Sequence, residues 1–144
     1  MTLPNFLIIG AAKSGTTAIY TFIKQHPEVF MSTPKELRYF SYSDPFPKNL
    51  SENHIHRGVT TLEEYQQHFD DVESQKIIGE ASPMYLYWPG TAERIKEVIP
   101  DVKMLVILRN PIDRAFSSYM HAIRDWREPA GSFKSALEEE QERI

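Results

Sequence analysis

Residues 6–17 read Phe-Leu-Ile-Ile-Gly-Ala-Ala-Lys-Ser-Gly-Thr-Thr. The apolar run at 6–9 is short and β-rich, which predicts a buried strand over 5–9. Gly10 and Gly15 frame a loop, and the chain after it predicts a helix over 16–25. Strand, glycine-framed loop and helix together make a phosphate-binding loop. The glycines let the backbone approach closely, and the helix N-terminus offers amides and a positive dipole end. The loop of nucleoside triphosphatases carries its lysine directly after the second glycine. Here that position is Thr16, and the only lysine lies inside the loop, at Lys13. Lys13, Thr16 and Thr17, with the first helix amides, are therefore candidate phosphate ligands. The alternative is an ordinary glycine turn capped by Thr16, with Lys13 in solvent.

Working outward, Ile19, Tyr20, Phe22 and Ile23 form the expected packing face of the first helix, which His26-Pro27 ends. Residues 31–60 are rich in Pro, Ser, Asn and aromatics and show no sustained period, so they read as a long excursion. Asn49-Leu50-Ser51 matches a glycosylation sequon, a pattern short enough to arise by chance. His54 and His56 read as loop residues with no metal-ligand context. Thr61-Leu62-Glu63-Glu64 is a capping box opening a helix to about Phe69. A second strand is expected over 76–79, followed by a turn at 80–83, and Thr91 is expected to cap a helix to about Ile99. Lys-Met-Leu-Val-Ile-Leu at 103–108 is the clearest strand, and Arg109-Asn110-Pro111 ends it. Helices are expected over 112–126 and from Ser132 to the end.

Strands alternating with helices predict parallel βαβ units. Ligands in such sheets bind at the carboxyl ends of the strands, which gathers 10–17, 80–83 and 109–111 along one edge. Lys13, Glu80 and Arg109 are expected there together. Only three strands are legible, fewer than a covered parallel sheet normally has. The expectation is one domain over 1–144 that is incomplete at its C-terminus; a small complete domain with an irregular arm is the alternative.

The 144 residues carry a net charge of −4, with 41% hydrophobic and 25% charged residues, as in a globular domain. Without a basic surplus, nucleic acid is not an expected partner, and an anionic ligand must be held by a few placed cations. With no cysteine, disulfides and thiolate metal sites are excluded. The strand begins by Asn5, which leaves no room for a signal peptide, and no apolar stretch reaches the ~18 residues of a membrane span. A cytoplasmic location is the resulting expectation.

Four segments resemble the sulfotransferases that use 3′-phosphoadenosine 5′-phosphosulfate (PAPS). FLIIGAAKSGTT resembles their 5′-phosphosulfate loop, and LVILRNPIDRAFSSYMH (105–121) their second block, a strand ending in Arg and then a helix bearing Ser. TPKELRYFS (33–41) is similar to the Lys-Glu-x-x-Phe-Phe segment of the heparan-sulfate type, and EASPMYLY (80–87) to its Glu-Lys-[Ser/Thr]-Pro-x-Tyr segment. The resemblance spans residues 5–121 in order. It implies a P-loop-like three-layer α/β/α fold around a central parallel sheet. It also implies sulfuryl transfer from PAPS to a hydroxyl or amine, with release of 3′,5′-ADP.

The resemblance further implies roles for single residues. Lys13 would stabilise the leaving group at the oxygen bridging phosphate and sulfate. Ser14, Gly15, Thr16 and Thr17 would bind the 5′-phosphate. Arg109 and Ser117 would bind the 3′-phosphate; Ser118 is a competitor for Ser117, and a strand-end salt bridge is the alternative role of Arg109. Glu36 would be the general base, with Lys35 and Arg38 beside the acceptor; a solvent-facing Lys-Glu pair is the alternative. Glu80 is a second carboxylate at the active edge: a substrate contact, the base in place of Glu36, or a partner for Lys13 or Arg109. Ala81 departs from the lysine of the heparan-sulfate type, and Arg38 from a histidine. No metal is implied where Lys13 and helix amides supply the charge. The acceptor could be a small molecule, lipid or carbohydrate. The rival expectations are a P-loop nucleotide kinase, disfavoured by Arg109 where an aspartate would hold magnesium, and a non-catalytic nucleotide- or partner-binding module.

Overall fold

The computed structural model describes residues 2–41 and 58–143. The sequon at Asn49, and His54 and His56, lie outside them. Four parallel strands form one sheet in the order β2-β3-β1-β4: β1 Phe6–Gly10, β2 Val29–Met31, β3 Ile77–Ala81 and β4 Lys103–Val106. The helices are α1 Thr16–Ile23, α2 Leu62–Gln67, α3 Thr91–Val98, α4 Pro111–Arg124 and α5 Phe133–Arg143. The α/β architecture with a central parallel sheet is as the sequence predicts. No helix among the described residues is long and apolar enough to cross a membrane.

Successive strand residues face opposite sides of a sheet, and β1 uses both. Leu7 packs with Leu37, Phe40, Tyr65, Phe69, Tyr85 and Ile95 on one face. Ile8 packs with Tyr20, Met31 and Ala81 on the other. Helices α2 and α3 thus lie on one side and α1 on the other, which makes three layers. β1 sits between β3 and β4, and its C-terminal end opens where a ligand crevice is expected.

Three local expectations are corrected. Strand β2 was not legible: three apolar residues after His26-Pro27 carry no period, and only pairing with β3 (Val29 opposite Ile77) makes them a strand. Phe22, expected on the packing face of α1, is exposed, whereas Ile19 and Ile23 pack against the core. Gly90, in the left-handed conformation, is the N-cap of α3, so Thr91 is its first helical residue. The caps at Thr61 and Ser132 form as read, and Asn110 adds one that was not expected. Thr61 accepts from the Glu64 amide at 3.2 Å, Asn110 from the Ile112 amide at 3.0 Å, and Ser132 from the Ser135 amide at 3.1 Å.

Candidate active site

The loop after β1 is shaped by two glycines with different constraints. A Cβ at Gly10 would lie 2.8 Å from Leu86 Cβ and 3.1 Å from the Pro83 carbonyl, because the 3₁₀ turn Pro83–Leu86 crosses directly over it. Gly15 meets nothing within 4 Å, but its φ of 95° favours glycine. The space beside it is open. Gly15 is the N-cap of α1, and no side chain caps that helix nor does an acid occupy its first turn. The first amides are therefore left for a ligand. Lys13 is itself left-handed, with φ 66°, an uncommon conformation for a side-chain-bearing residue.

β4 stops at Val106, short of the expected Leu108, and Arg109, three residues beyond it, reaches the same loop, donating from Nη1 to the Lys13 carbonyl at 3.3 Å. Asn110 and Pro111 then start α4 at once, and α4 brings Ser117 and Ser118 over the loop. Lys13, Gly15, Thr16, Thr17, Arg109, Ser117 and Ser118 line one cleft of about 630 Å³. Two chain segments far apart in sequence thus meet at the carboxyl edge of the sheet.

Glu36 and Arg38 line the opposite wall. Arg38 donates to Glu36 Oε2 from Nη2 at 2.5 Å and from Nε at 3.2 Å, and Lys35 donates to Oε1 at 3.0 Å. Burial opposes ionisation of Glu36, but hydrogen bonds and charge from Arg38 and Lys35 outweigh it and hold the carboxyl below its ordinary range. Partial burial, then the nearby Arg124 and Arg109 charges, lower the Lys13 ammonium, with Asp125 opposing. Lys35 supports Glu36 and is not among the residues that line the cleft.

Glu80 is not at this edge. Strand β3 runs on to Ala81, beyond the expected end at Gly79, and Glu80 pairs in register with Leu7. It shares the Leu7 face and enters the core, fully buried, where Tyr65, Ser82 and Tyr85 donate to it. Neither Lys13 nor Arg109 is its partner in these contacts, and it does not line the cleft.

The cleft also contains His121, Arg127, Met84 and Trp88, which the sequence reading did not select. His121 lies four residues beyond Ser117 on α4, so helical spacing alone places it on the same face. Arg127 follows Trp126, whose φ of 57° turns the chain back after α4. Asp125 ties these groups together, accepting from Arg127 at 2.7 Å and lying 3.4 Å from His121 Nδ1. Burial first, then the Lys13 charge, push the His121 imidazole down, with Asp125 opposing.

Two buried hydroxyls, Ser14 Oγ in the loop and Ser41 Oγ after the 36–40 turn, have no hydrogen-bond partner among the described residues. A buried hydroxyl is normally paired, and that of Ser14 belongs to the loop beside uncapped helix amides. The loop residues fit an anionic phosphate group.

The sulfotransferase family profile matches residues 4–143. A crystal structure of a sulfotransferase from Alicyclobacillus acidocaldarius superposes with a TM-score of 0.90 and 42% identity, covering 100% of this chain and 59% of that one. The membrane-associated sulfotransferase kil1 of Dictyostelium discoideum is 32% identical over 124 residues, 86% of this chain and 24% of its own. The human bifunctional heparan sulfate N-deacetylase/N-sulfotransferase 3 is 31% identical over 133 residues, 89% of this chain and 14% of its own. The chain therefore spans a quarter or less of these two curated relatives. With the phosphate loop, the Arg109 segment and the Glu36 segment all in place, the chain belongs to the sulfotransferase family.

Proposed function

We propose that the protein transfers a sulfuryl group from PAPS to a hydroxyl or amine acceptor and releases 3′,5′-ADP. The supporting observation is that Lys13, Arg109, Ser117 and Glu36 line the same cleft. In this reading Ser14, Gly15, Thr16 and Thr17 hold the 5′-phosphate, and Arg109 with Ser117 holds the 3′-phosphate. The planar guanidinium of Arg109 suits a phosphate because it donates two parallel hydrogen bonds.

Glu36 takes the proton from the acceptor as the acceptor oxygen or nitrogen bonds to sulfur. The bond from sulfur to the phosphate oxygen breaks, and Lys13 offsets the charge that develops on that oxygen. The protein supplies positioning and charge rather than a covalent intermediate, by analogy with phosphoryl transfer. The names of the heparan sulfate relatives support a carbohydrate amine or hydroxyl as the acceptor class.

Calorimetry with 3′,5′-ADP, 5′-AMP and ATP-Mg tests this. The expected order is 3′,5′-ADP tightest, with Arg109→Ala reducing its advantage over 5′-AMP by about 30-fold, the worth of a charged hydrogen-bond pair. Preference for ATP-Mg would sink the proposal.

A further inference from the structure

Glu80 is a fully buried carboxylate that the cleft does not use. Its surroundings are all donors. Tyr65 and Tyr85 hydroxyls donate to Oε1, the former at 3.1 Å, and the Ser82 hydroxyl donates to Oε2 at 2.8 Å. The backbone of Leu37 adds a hydrogen bond. Two of these hydroxyls have a second task. Ser82 Oγ accepts the Arg38 amide at 3.0 Å, and Tyr85 Oη accepts the Phe40 amide at 3.4 Å. A hydroxyl has one proton. Because Glu80 accepts that proton, each oxygen is left with its lone pairs turned toward the 38–40 backbone.

The rings act in the same direction. Tyr39 stacks on Tyr65 at 4.6 Å, and Phe40 packs edge-on against Tyr65 and Tyr85 at 5.3 and 5.6 Å. Arg38 has φ 57°, a conformation that persists in a side-chain-bearing residue only where the surroundings impose it. These surroundings are the amide and ring contacts just named. The same turn presents Glu36 and Arg38 to the cleft.

We propose that Glu80 is a positioning residue for sulfuryl transfer: through Ser82, Tyr85 and the Leu37 backbone it fixes the 36–40 turn that carries the Glu36 base and its Arg38 partner. It acts through Glu36 and touches neither donor nor acceptor. The proposal rests on the reading of Glu36 as the base.

Glu80→Gln tests it at a pH above about 8, where the Glu80 carboxylate carries no proton of its own, because the amide keeps the shape but makes one terminal atom a donor. Ser82 or the tyrosines must then turn a lone pair inward and abandon the turn. In the full chain, Glu80→Gln is expected to lower kcat about 10-fold or more, with 3′,5′-ADP affinity unchanged within about two-fold. In a Glu36→Gln background it is expected to cost nothing further, since coupled residues are not additive. Amide exchange at Leu37 and Arg38 is expected to speed up about 10-fold in Glu80→Gln and in Ser82→Ala. Ser82→Ala leaves Glu80 and both tyrosines in place, so it carries the test where Glu80→Gln fails to fold. Equal kcat losses in both backgrounds, or native exchange at Leu37 and Arg38 in Ser82→Ala, overturn the proposal. Full turnover in Glu36→Gln alone removes the base reading instead, and the exchange measurement then decides the mooring by itself.

Discussion

The two flanks of β1 are built in opposite ways. On the β3 flank the strand ends in three buried residues, Gly79, Glu80 and Ala81, and its carboxylate is enclosed by hydroxyls and aromatic rings. On the β4 flank Arg109 donates to the Lys13 carbonyl, and the neighbouring loop opens α1 at Gly15 with no side-chain cap. The cleft joins a wall held by side-chain chemistry to one held by backbone. On the first, Glu36 is placed by a network that reaches the core. On the second, Lys13 and Arg109 are placed by a glycine-framed loop and the chain just beyond β4. Substitutions on the β4 side should therefore change ligand handling alone, and those on the β3 side should be transmitted through the turn.

The sharpest break of that comparison is Lys13→Ala. Loss of a charge aimed at a developing oxyanion lowers kcat by about 10³. Affinity for 3′,5′-ADP, which the proposed reading assigns to the loop amides and Arg109, should change by less than about five-fold. Single-turnover rates beside calorimetry check this, and equal losses in both would remove the leaving-group role.

The β3 flank should reveal itself in stability against pH. Burial raises the Glu80 carboxyl to about 7 despite hydrogen bonds from Tyr85, Ser82 and Tyr65, against 4.5 ordinarily. Between these two values the folded state holds a proton that the unfolded state has released. Stability is therefore greatest below the ordinary value, falls as pH rises through the window, and is flat above it. The full change is on the order of 3 kcal/mol. Glu80→Gln should remove that slope in urea melts taken across the window. An unchanged slope would show that Glu80 does not titrate there.

Arg38→Gln gives a smaller effect on the other carboxylate. Burial opposes ionisation of Glu36, and Arg38 is foremost among the groups that overcome it. A base works only when ionised, so the acid limb of kcat/KM should lie below the ordinary carboxylate range. Without Arg38 the burial remains and the limb should move to higher pH. A limb that stays in place would detach Glu36 from proton transfer.

Much of the β4 flank was legible because its signals are local. Glycines at 10 and 15, a lysine between them and an arginine just after a strand lie on short stretches of chain. His121 was equally legible at four residues beyond Ser117. Arg127 was not, because its place depends on the left-handed turn at Trp126. The β3 flank was misread for a tertiary reason. Whether Glu80 closes a strand inside the core or opens a turn at the edge depends on two residues of strand length and on register with Leu7. Pattern in one sequence does not fix either. The same holds for β2, which exists only as a partner of β3.

The finest test of the contrast is Ser14→Ala. Were the β4 side built for its own stability, every buried polar group there would be paired. Ser14 Oγ is buried without a partner among the described residues, and an unmet buried hydroxyl costs about 1–3 kcal/mol. Removing it should leave the ligand-free protein as stable or raise it by up to about 1 kcal/mol, while 3′,5′-ADP affinity falls about five-fold. Paired melts with and without 3′,5′-ADP separate the two effects, since ligand stabilisation follows affinity. Lost stability with unchanged affinity would make Ser14 an ordinary structural hydroxyl. The opposite pattern would show a loop that leaves a polar group unsatisfied until its anion binds, in contrast to the Glu80 carboxylate, whose two oxygens already accept from neighbouring hydroxyls.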